Sequence, residues 1–291
     1  MSLHHTVAKD LDRGLMKGPT LWVAERRVQL GDGLYRRSRT LIQPGLRVQL
    51  VSTAGCQTDT RAIQRAFPEI VTPRHSFTVV LEGEYESEAA GRVGPAEAAY
   101  EVRSAWHERW GGPRQRFVVV TWERGAEGGG VGVDGIGSAG LATWRALAER
   151  IEHCTEDDAG PIAEAALEAV RAAGARPPRL ETTVAPAAVR RMGLALNHVF
   201  THLHETPQWV DMEGHTQVGA RQLRRVFAAQ CDWLAGGSWR RTLLTQRLSL
   251  AVSLLGARAS TAAEVAAALG YGGDRALFTA LRRAGLGASH R

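Results

Sequence analysis

Residues 209–227, WVDMEGHTQVGARQLRRVF, end in a pattern suited to binding an anion. From Gly219 onward, helical spacing places Leu223, Val226 and Phe227 on one face, while Arg221, Gln222, Arg224 and Arg225 take the remaining surface. Apolar residues of this kind anchor a helix to a scaffold. Guanidinium and amide groups then reach guanine O6/N7, adenine N6/N7 or phosphate oxygens. A second copy closes the chain in EVAAALGYGGDRALFTALRRAGLGASHR (264–291). There Val265, Ala266 and Leu269 form a scaffold face, and Gly270 suits a positive-φ helix end. Asp274 is expected to cap the next helix, with Leu277 and Leu281 facing inward and Arg275, Thr279 and Arg282 on other faces. Either helix pair alone would read as core packing. Two basic copies, joined by a predicted long amphipathic helix in WRRTLLTQRLSLAVSLLG (239–256), point to a grooved polyanion.

Charge agrees with that chemistry. Residues 187–291 hold 13 Arg against 6 Asp and Glu, a net +7, whereas the first 186 residues sum to −1. A basic block segregated in this way favours a polyphosphate partner. Other chemistries lack their residues. There is no G-x-S-x-G, no clustered metal triad and no nucleophile–base pairing, so no catalytic residue is assigned and no enzyme is expected. GAEGGGVGVDGIGSAG (125–140) reads as a flexible loop, because no Gly-Lys-Ser/Thr follows its glycines. Cys56, Cys154 and Cys231 match no C-x-x-C pattern and are expected to be free thiols. His198 and His202 stand four apart in NHVFTHLHE, a two-ligand spacing without a clear third ligand, so no metal and no cofactor are expected. No run approaches the ~18 apolar residues of a membrane span, and the N-terminus lacks an apolar signal core. A soluble, cytoplasmic protein without a membrane partner is expected.

The elements that position these helices begin with strands. LRVQLV (46–51), FTVVL (77–81) and FVVVTW (117–122) alternate or run apolar. Turn signals at Gln43-Pro44-Gly45, Gly94-Pro95 and Gly111-Gly112-Pro113 separate them, which predicts an antiparallel barrel or sandwich. Helical periodicity starts near Leu141. Leu141, Trp144, Leu147, Ala148 and Ile151 share one face, and Ile162, Ala165, Ala166, Ala169 and Val170 another, with Asp157 and Asp158 before the second helix. This pair is expected to pack on the sheet or on a second subunit. ARPPRLETTVAP (175–186) reads as a linker stiffened by Pro177-Pro178.

Residues 187–291 resemble the DNA-binding domain of the AraC/XylS transcription regulators, two helix-turn-helix units bridged by a long helix. The resemblance is carried by Arg221-Gln222-Leu223-Arg224-Arg225-Val226-Phe227, then Ala263-Glu264-Val265-Ala266-Ala267-Ala268-Leu269-Gly270-Tyr271, then Leu277-x-x-x-Leu281-Arg282-Arg283. It implies that Ala220, Arg221, Gln222, Arg224 and Arg225 meet DNA from the first unit. Asp274, Arg275, Phe278, Thr279 and Arg282 would do so from the second, with Phe278 against a thymine methyl or packed inward. Three positions depart from the family pattern: Glu213 replaces a small buried residue, Gln217 a turn glycine, and Gly219 a capping serine. The tail GLGASHR is also short and lacks the family's proline.

HSFTVVLEGEYESEAAGRVGP (75–95), His107 and RFVVVTWE (116–123) resemble the cupin-type sensor barrel found in that family. Within it Leu81-Glu82-Gly83-Glu84 would make a strand and turn, and His75 and His107 are the candidate ligand-pocket residues. The fold class expected is therefore α+β: a cupin-like β-barrel (1–140), a helical dimerisation or packing pair (141–174), a linker (175–186) and an all-α double helix-turn-helix domain (187–291). The implied function is a DNA-binding transcriptional regulator, an activator by family habit. Its implied partners are double-stranded DNA, a small-molecule effector, RNA polymerase and a second copy in a homodimer. The alternatives are a DNA-binding subunit of a larger complex, or a cupin-type enzyme with a helical partner-binding module.

Overall fold

The computed structural model describes residues 22–30, 34–43, 46–53, 56–59, 74–87, 89–103, 107–123, 132–155, 157–179, 195, 198, 202–230, 239–256 and 261–286. Residues 180–186 of the expected linker, Cys231 and the tail 287–291 lie outside them, as do the side chains of Cys56, His107, Val226 and Phe227.

Among the described residues nine strands form one antiparallel sheet: β1 (Trp22–Leu30), β2 (Leu34–Gln43), β3 (Leu46–Thr53), β4 (Cys56–Asp59), β5 (Arg74–Ser87), β6 (Gly91–Val93), β7 (Glu97–Arg103), β8 (His107–Glu123) and β9 (Gly132–Gly135). The order is β1-β2-β3-β8-β5-β7-β9, with β4 also paired to β8 and β6 to β5. Gly94-Pro95 does turn the chain: Glu97 N–H donates to Gly94 O at 3.2 Å, and the Glu97 carboxylate accepts from Gly94 N–H at 2.6 Å.

Three sequence expectations need correction here. Gly111-Gly112-Pro113 is not a turn but lies inside the 17-residue β8. Leu81-Glu82-Gly83-Glu84 likewise continues β5. The β5–β8 register slips on both sides of Glu82, which pairs with Arg116 while Glu84 pairs with Gly111. The extra residues of β8 bulge against Gly83, and a bulge is where a strand tolerates a proline that cannot donate. Gly83 sits at φ +83°, and a Cβ there would fall 2.6 Å from Gln115 Cγ and 2.7 Å from Arg114 O. The third correction concerns the loop at 125–140. Its second half forms β9, paired to Glu97–Tyr100 of β7, and then starts a helix at Gly137. The boundary expected at 140/141 therefore falls within that helix.

Two helices cover one face of the sheet, α1 (Gly137–His153) and α2 (Ala159–Ala172). Trp144, Leu147, Ala148 and Ile151 of α1 and Ile162, Ala166, Leu167 and Val170 of α2 share a core with Leu46, Val48, Leu50, Val79, Val118 and Val120. Phe77 stacks on Trp144 at 5.9 Å between ring centroids. The apolar stripes legible in the sequence are thus filled by the sheet rather than by a second subunit. What the pair turns outward is charged: Arg116 bridges Glu149 and Glu152, and Arg171 bridges Glu164 and Glu168.

The basic third is helical where described: α3 (Asp211–Thr216), α4 (Ala220–Gln230), α5 (Trp239–Gly256), α6 (Ala262–Ala268) and α7 (Asp274–Arg283). α5 is not the amphipathic helix expected. Leu243, Leu248, Leu250, Ala251, Val252 and Leu254 are all buried, and at 100° per residue they cover more than half its circumference. No helix among the described residues is long and apolar enough to cross a membrane.

Candidate functional site

The two helix pairs α3–α4 and α6–α7 repeat one build. A residue in left-handed conformation ends each first helix, Gln217 at φ 52° and Gly270 at φ 73°. A glycine, Gly219 or Gly273, immediately precedes each second helix. Two residues into that helix stands an arginine, Arg221 or Arg275, and two further on a fully buried leucine, Leu223 or Leu277. With 100° between successive residues, Arg221 and Arg225 lie opposite Leu223, flanked by Gln222 and Arg224, and all four are exposed. On α7, Arg275, Thr279 and Arg282 lie opposite Leu277, with both arginines exposed and Thr279 partly so. Ala220 is half-buried at the start of α4, and Asp274 is exposed at the start of α7.

Details of the second unit sharpen the assignments. The helix cap is Gly273, not Asp274. Asp274 is the first helical residue, its Oδ1 accepting from Arg275 N–H at 2.6 Å, a position where a carboxylate complements the helix dipole. Phe278 is 38% exposed, so it faces outward rather than packing. Thr279 Oγ1 donates to Arg275 O at 2.8 Å and accepts from Arg282 Nη2 at 3.4 Å. Its hydroxyl is therefore engaged within α7, which leaves the arginine guanidiniums as the longest-reaching donors of this face. α6 begins with a capping box, Thr261 Oγ1 accepting from Glu264 N–H while the Glu264 carboxylate accepts from Thr261 N–H. The end of α7 closes on Gly285 and Leu286. Gly285 takes φ 74°, Leu286 N–H donates to Leu281 O at 2.9 Å, and Leu286 is buried.

The departures in the first unit compensate one another. Glu213 is not driven into the helix contact. Its Oε1 accepts from Ala220 N–H at 2.5 Å, satisfying an amide at the start of α4 that a capping side chain would otherwise serve. The carboxylate thus stands in from α3 for the missing serine at Gly219, whose carbonyl accepts from Gln222 and Leu223 N–H. Thr216 Oγ1 completes the turn by donating to Met212 O at 2.8 Å and accepting from Val218 N–H at 3.3 Å. Glu213→Ala is expected to cost about 1 kcal/mol, the usual worth of a lost N-cap. Gly219→Ser should restore most of it, because a Cβ at Gly219 meets nothing within 4 Å. Denaturant midpoints of the single and double variants check this; a serine that restores nothing contradicts the capping role.

A residue the sequence reading missed ties the segment before α3 to α5. Arg247, midway along α5, donates from Nε to Leu203 O at 2.7 Å and from Nη2 to Glu205 O and Thr206 Oγ1. This clasps residues 203–206 against α5, and His204 O in turn lies against Gly270 in the second turn. Burial lowers the Arg247 pKa and raises that of the Tyr271 phenol, which Arg247 partly opposes. The only signal in the sequence was an arginine within an apolar run.

His198, His202 and His215 also converge, with ring centroids 4.4 Å (His198–His202) and 3.8 Å (His198–His215) apart. His202 Nδ1 lies 2.9 Å from His198 O. Among the described residues no group of three or more His, Cys, Asp or Glu is placed to hold a metal ion. Burial lowers the His198 pKa below its ordinary 6.5, and the neighbouring His215 and His202 lower it further, against Glu205 and Asp211. A depressed folded-state pKa means that the unfolded chain takes up the proton first. Stability is then fully present above about pH 6.5 and falls as the pH drops below it. Denaturant midpoints at pH 7.5 and 5.5 should show that loss, and His215→Gln should reduce it. Equal pH dependence in wild type and variant would contradict the coupling.

His75 lies in the N-terminal region, outside the lining of the cavity described below. It projects to the helix-covered face, 5% exposed, stacked between Tyr100 (5.8 Å) and Trp122 (5.4 Å), with Nδ1 hydrogen-bonded to Tyr100 OH. Its aromatic neighbours make it part of the core. His107 contributes its backbone to β8, paired with Asp59. A cavity of about 530 Å³ lies elsewhere, where Phe77, Ala98, Asp134, Ile136, Trp144 and Ala169 meet between sheet and helices. Cys154 is a buried free thiol.

Neither a protein-family model nor a curated protein matches the chain. Among solved structures it is similar to the AraC-like transcriptional activator CuxR, at 14% identity over 87% of this chain and 90% of that one, with a TM-score of 0.37. It is similar to ToxT from Vibrio cholerae O395 at 8% identity over 80% and 92%, with a TM-score of 0.32. A putative glyoxylate induced protein from Pseudomonas aeruginosa matches at 16% identity over 38% and 45%, with a TM-score of 0.29. At TM-scores below 0.5, the functional reading rests on the geometry of the helix pairs.

Proposed function

We propose that the chain is a sequence-specific DNA-binding transcriptional regulator of AraC/XylS type, working in the cytoplasm. One observation carries this reading: two helix pairs of the same build each present arginines from the outer face of the second helix. Phosphate contacts by these arginines supply most of the affinity, and displaced counterions make it fall steeply with salt. Base contacts from α4 and α7 supply discrimination in two major-groove segments about one helical turn apart.

The N-terminal sheet is read as a cupin-like barrel through which a small effector controls DNA binding. Contacts with RNA polymerase, activation and homodimerisation belong to the same reading. A homodimer would have to use surfaces other than the apolar stripes of α1 and α2, which the sheet occupies. Gel shifts with genomic fragments at two salt concentrations test the reading. A sequence-selective band that weakens as salt rises is expected, and the absence of any selective band would count decisively against it.

A further inference from the structure

The cavity of about 530 Å³ opens between the sheet and its two helices at the β9 edge, and the DNA-binding reading makes no use of it. Strand pairing sets Val79, Ala98 and Asp134 in one row across β5, β7 and β9. Val79 and Ala98 are buried under α1 and α2, so the Asp134 side chain points to the same helix-covered face. Asp134 is itself exposed at the rim, and among the described residues no side chain bonds or pairs with it. Phe77 and Trp144 line the inner end, with ring centroids 5.9 Å apart. The body of α2 fills the core with Ile162, Leu167 and Val170, but to the cavity its last turn offers only Ala169, Ala172 and Ala173. Small residues thus keep open a space with aromatic walls and one carboxylate at its mouth.

We infer that this cavity binds a small arylalkyl ammonium ion, its ring against Phe77 and Trp144 and its ammonium group on the Asp134 carboxylate. Its volume lies in the range of small-molecule sites, which are mostly apolar with a few placed polar groups. A flat ring recovers dispersion contacts that an unfilled space forfeits. The positive charge is favoured twice, by the carboxylate and by the electron-rich faces of aromatic rings. An aryl acid of the same shape would meet like charge at the mouth. A neutral arene would cover Asp134 without replacing its water. An aliphatic ammonium would pair with Asp134 and leave the aromatic end poorly filled. The inference goes beyond the regulator reading: it concerns neither the opposite face of the sheet nor helices α4 and α7.

Calorimetric titration of the full chain near neutral pH tests it, with phenethylamine and tryptamine as probes. Phenethyl alcohol, hydrocinnamate and butylamine are the neutral, acidic and aliphatic counterparts. Saturable one-to-one binding is expected for at least one arylalkylamine, with each counterpart about tenfold weaker or more. Asp134→Asn should weaken the amine about five- to tenfold, the size of a charge-assisted contact at a partly covered site. Its melting temperature should stay that of wild type, because Asp134 is exposed. Ala172→Phe, on the exposed last turn of α2, should fill the mouth and abolish binding. The inference is overturned if neither arylalkylamine binds, if any counterpart binds as tightly, or if Asp134→Asn binds like wild type. A folded Ala172→Phe variant that binds like wild type places the amine elsewhere and overturns it too. Gel shifts read the regulator separately. Selective DNA binding without amine binding removes this site alone; amine binding without DNA selection removes the regulator alone.

Discussion

Gly270→Ala should collapse the second helix pair while Gly272→Ala, two residues on, leaves it intact. Gly270 holds φ 73°, where an L-residue costs about 1–2 kcal/mol. Its added Cβ would lie 2.1 Å from His204 O and 2.8 Å from His204 C. No side chain can yield to relieve that contact, because the obstacle is backbone clasped by Arg247. Either the turn opens or residues 203–206 leave α5, and overpacking of this kind adds a further ~1–3 kcal/mol. The total expected loss is about 3 kcal/mol or more, with loss of selective DNA binding. At Gly272 a Cβ meets nothing within 4 Å, so its variant should stay within about 0.5 kcal/mol of wild type. Thermal unfolding of the two variants side by side checks the claim. Equal stability would mean that the turn does not bear on the 203–206 segment.

The second large effect concerns binding rather than folding. Arg221→Ala and Arg275→Ala should each weaken specific DNA binding by about 1–3 kcal/mol if each reads a base. The two arginines sit on separate units, so their losses should add in the double variant. Both side chains are exposed, and truncating them should leave the melting temperature nearly unchanged. Thr279→Ala should have the smaller effect, because its hydroxyl is already bonded to Arg275 O. Titration of operator DNA at fixed salt separates these cases. Variants that bind and footprint like wild type would remove Arg221 and Arg275 from the interface.

What was legible in the sequence follows from periodicity. The arginine–leucine spacing of 221–225 and 275–281 fixes which residues lie outside and which lie beneath, because a helix sets angle by count alone. The stripes of α1 and α2 were readable for the same reason. Contacts between elements were not. Nothing local connects Glu213 with Ala220 N–H, so an unfavourable core carboxylate and a missing cap looked like two defects until their geometry joined them. Gly111-Gly112-Pro113 carries turn chemistry, yet β8 runs through it by bulging against Gly83 of β5. Strand parity places His75 on the helix-covered face, stacked between Tyr100 and Trp122. Alternation in LRVQLV gave the apolar face of β3 correctly. The strand's other face, with Arg47 and Gln49, is buried as well.

Selection of bound sequences from a random DNA pool tests the central claim most directly, since it questions both helix pairs at once. Two conserved blocks about 10–10.5 base pairs apart are expected, with Arg221→Ala erasing one and Arg275→Ala the other. A pool that emerges without enrichment, or with a single block indifferent to both variants, would contradict the double-unit account.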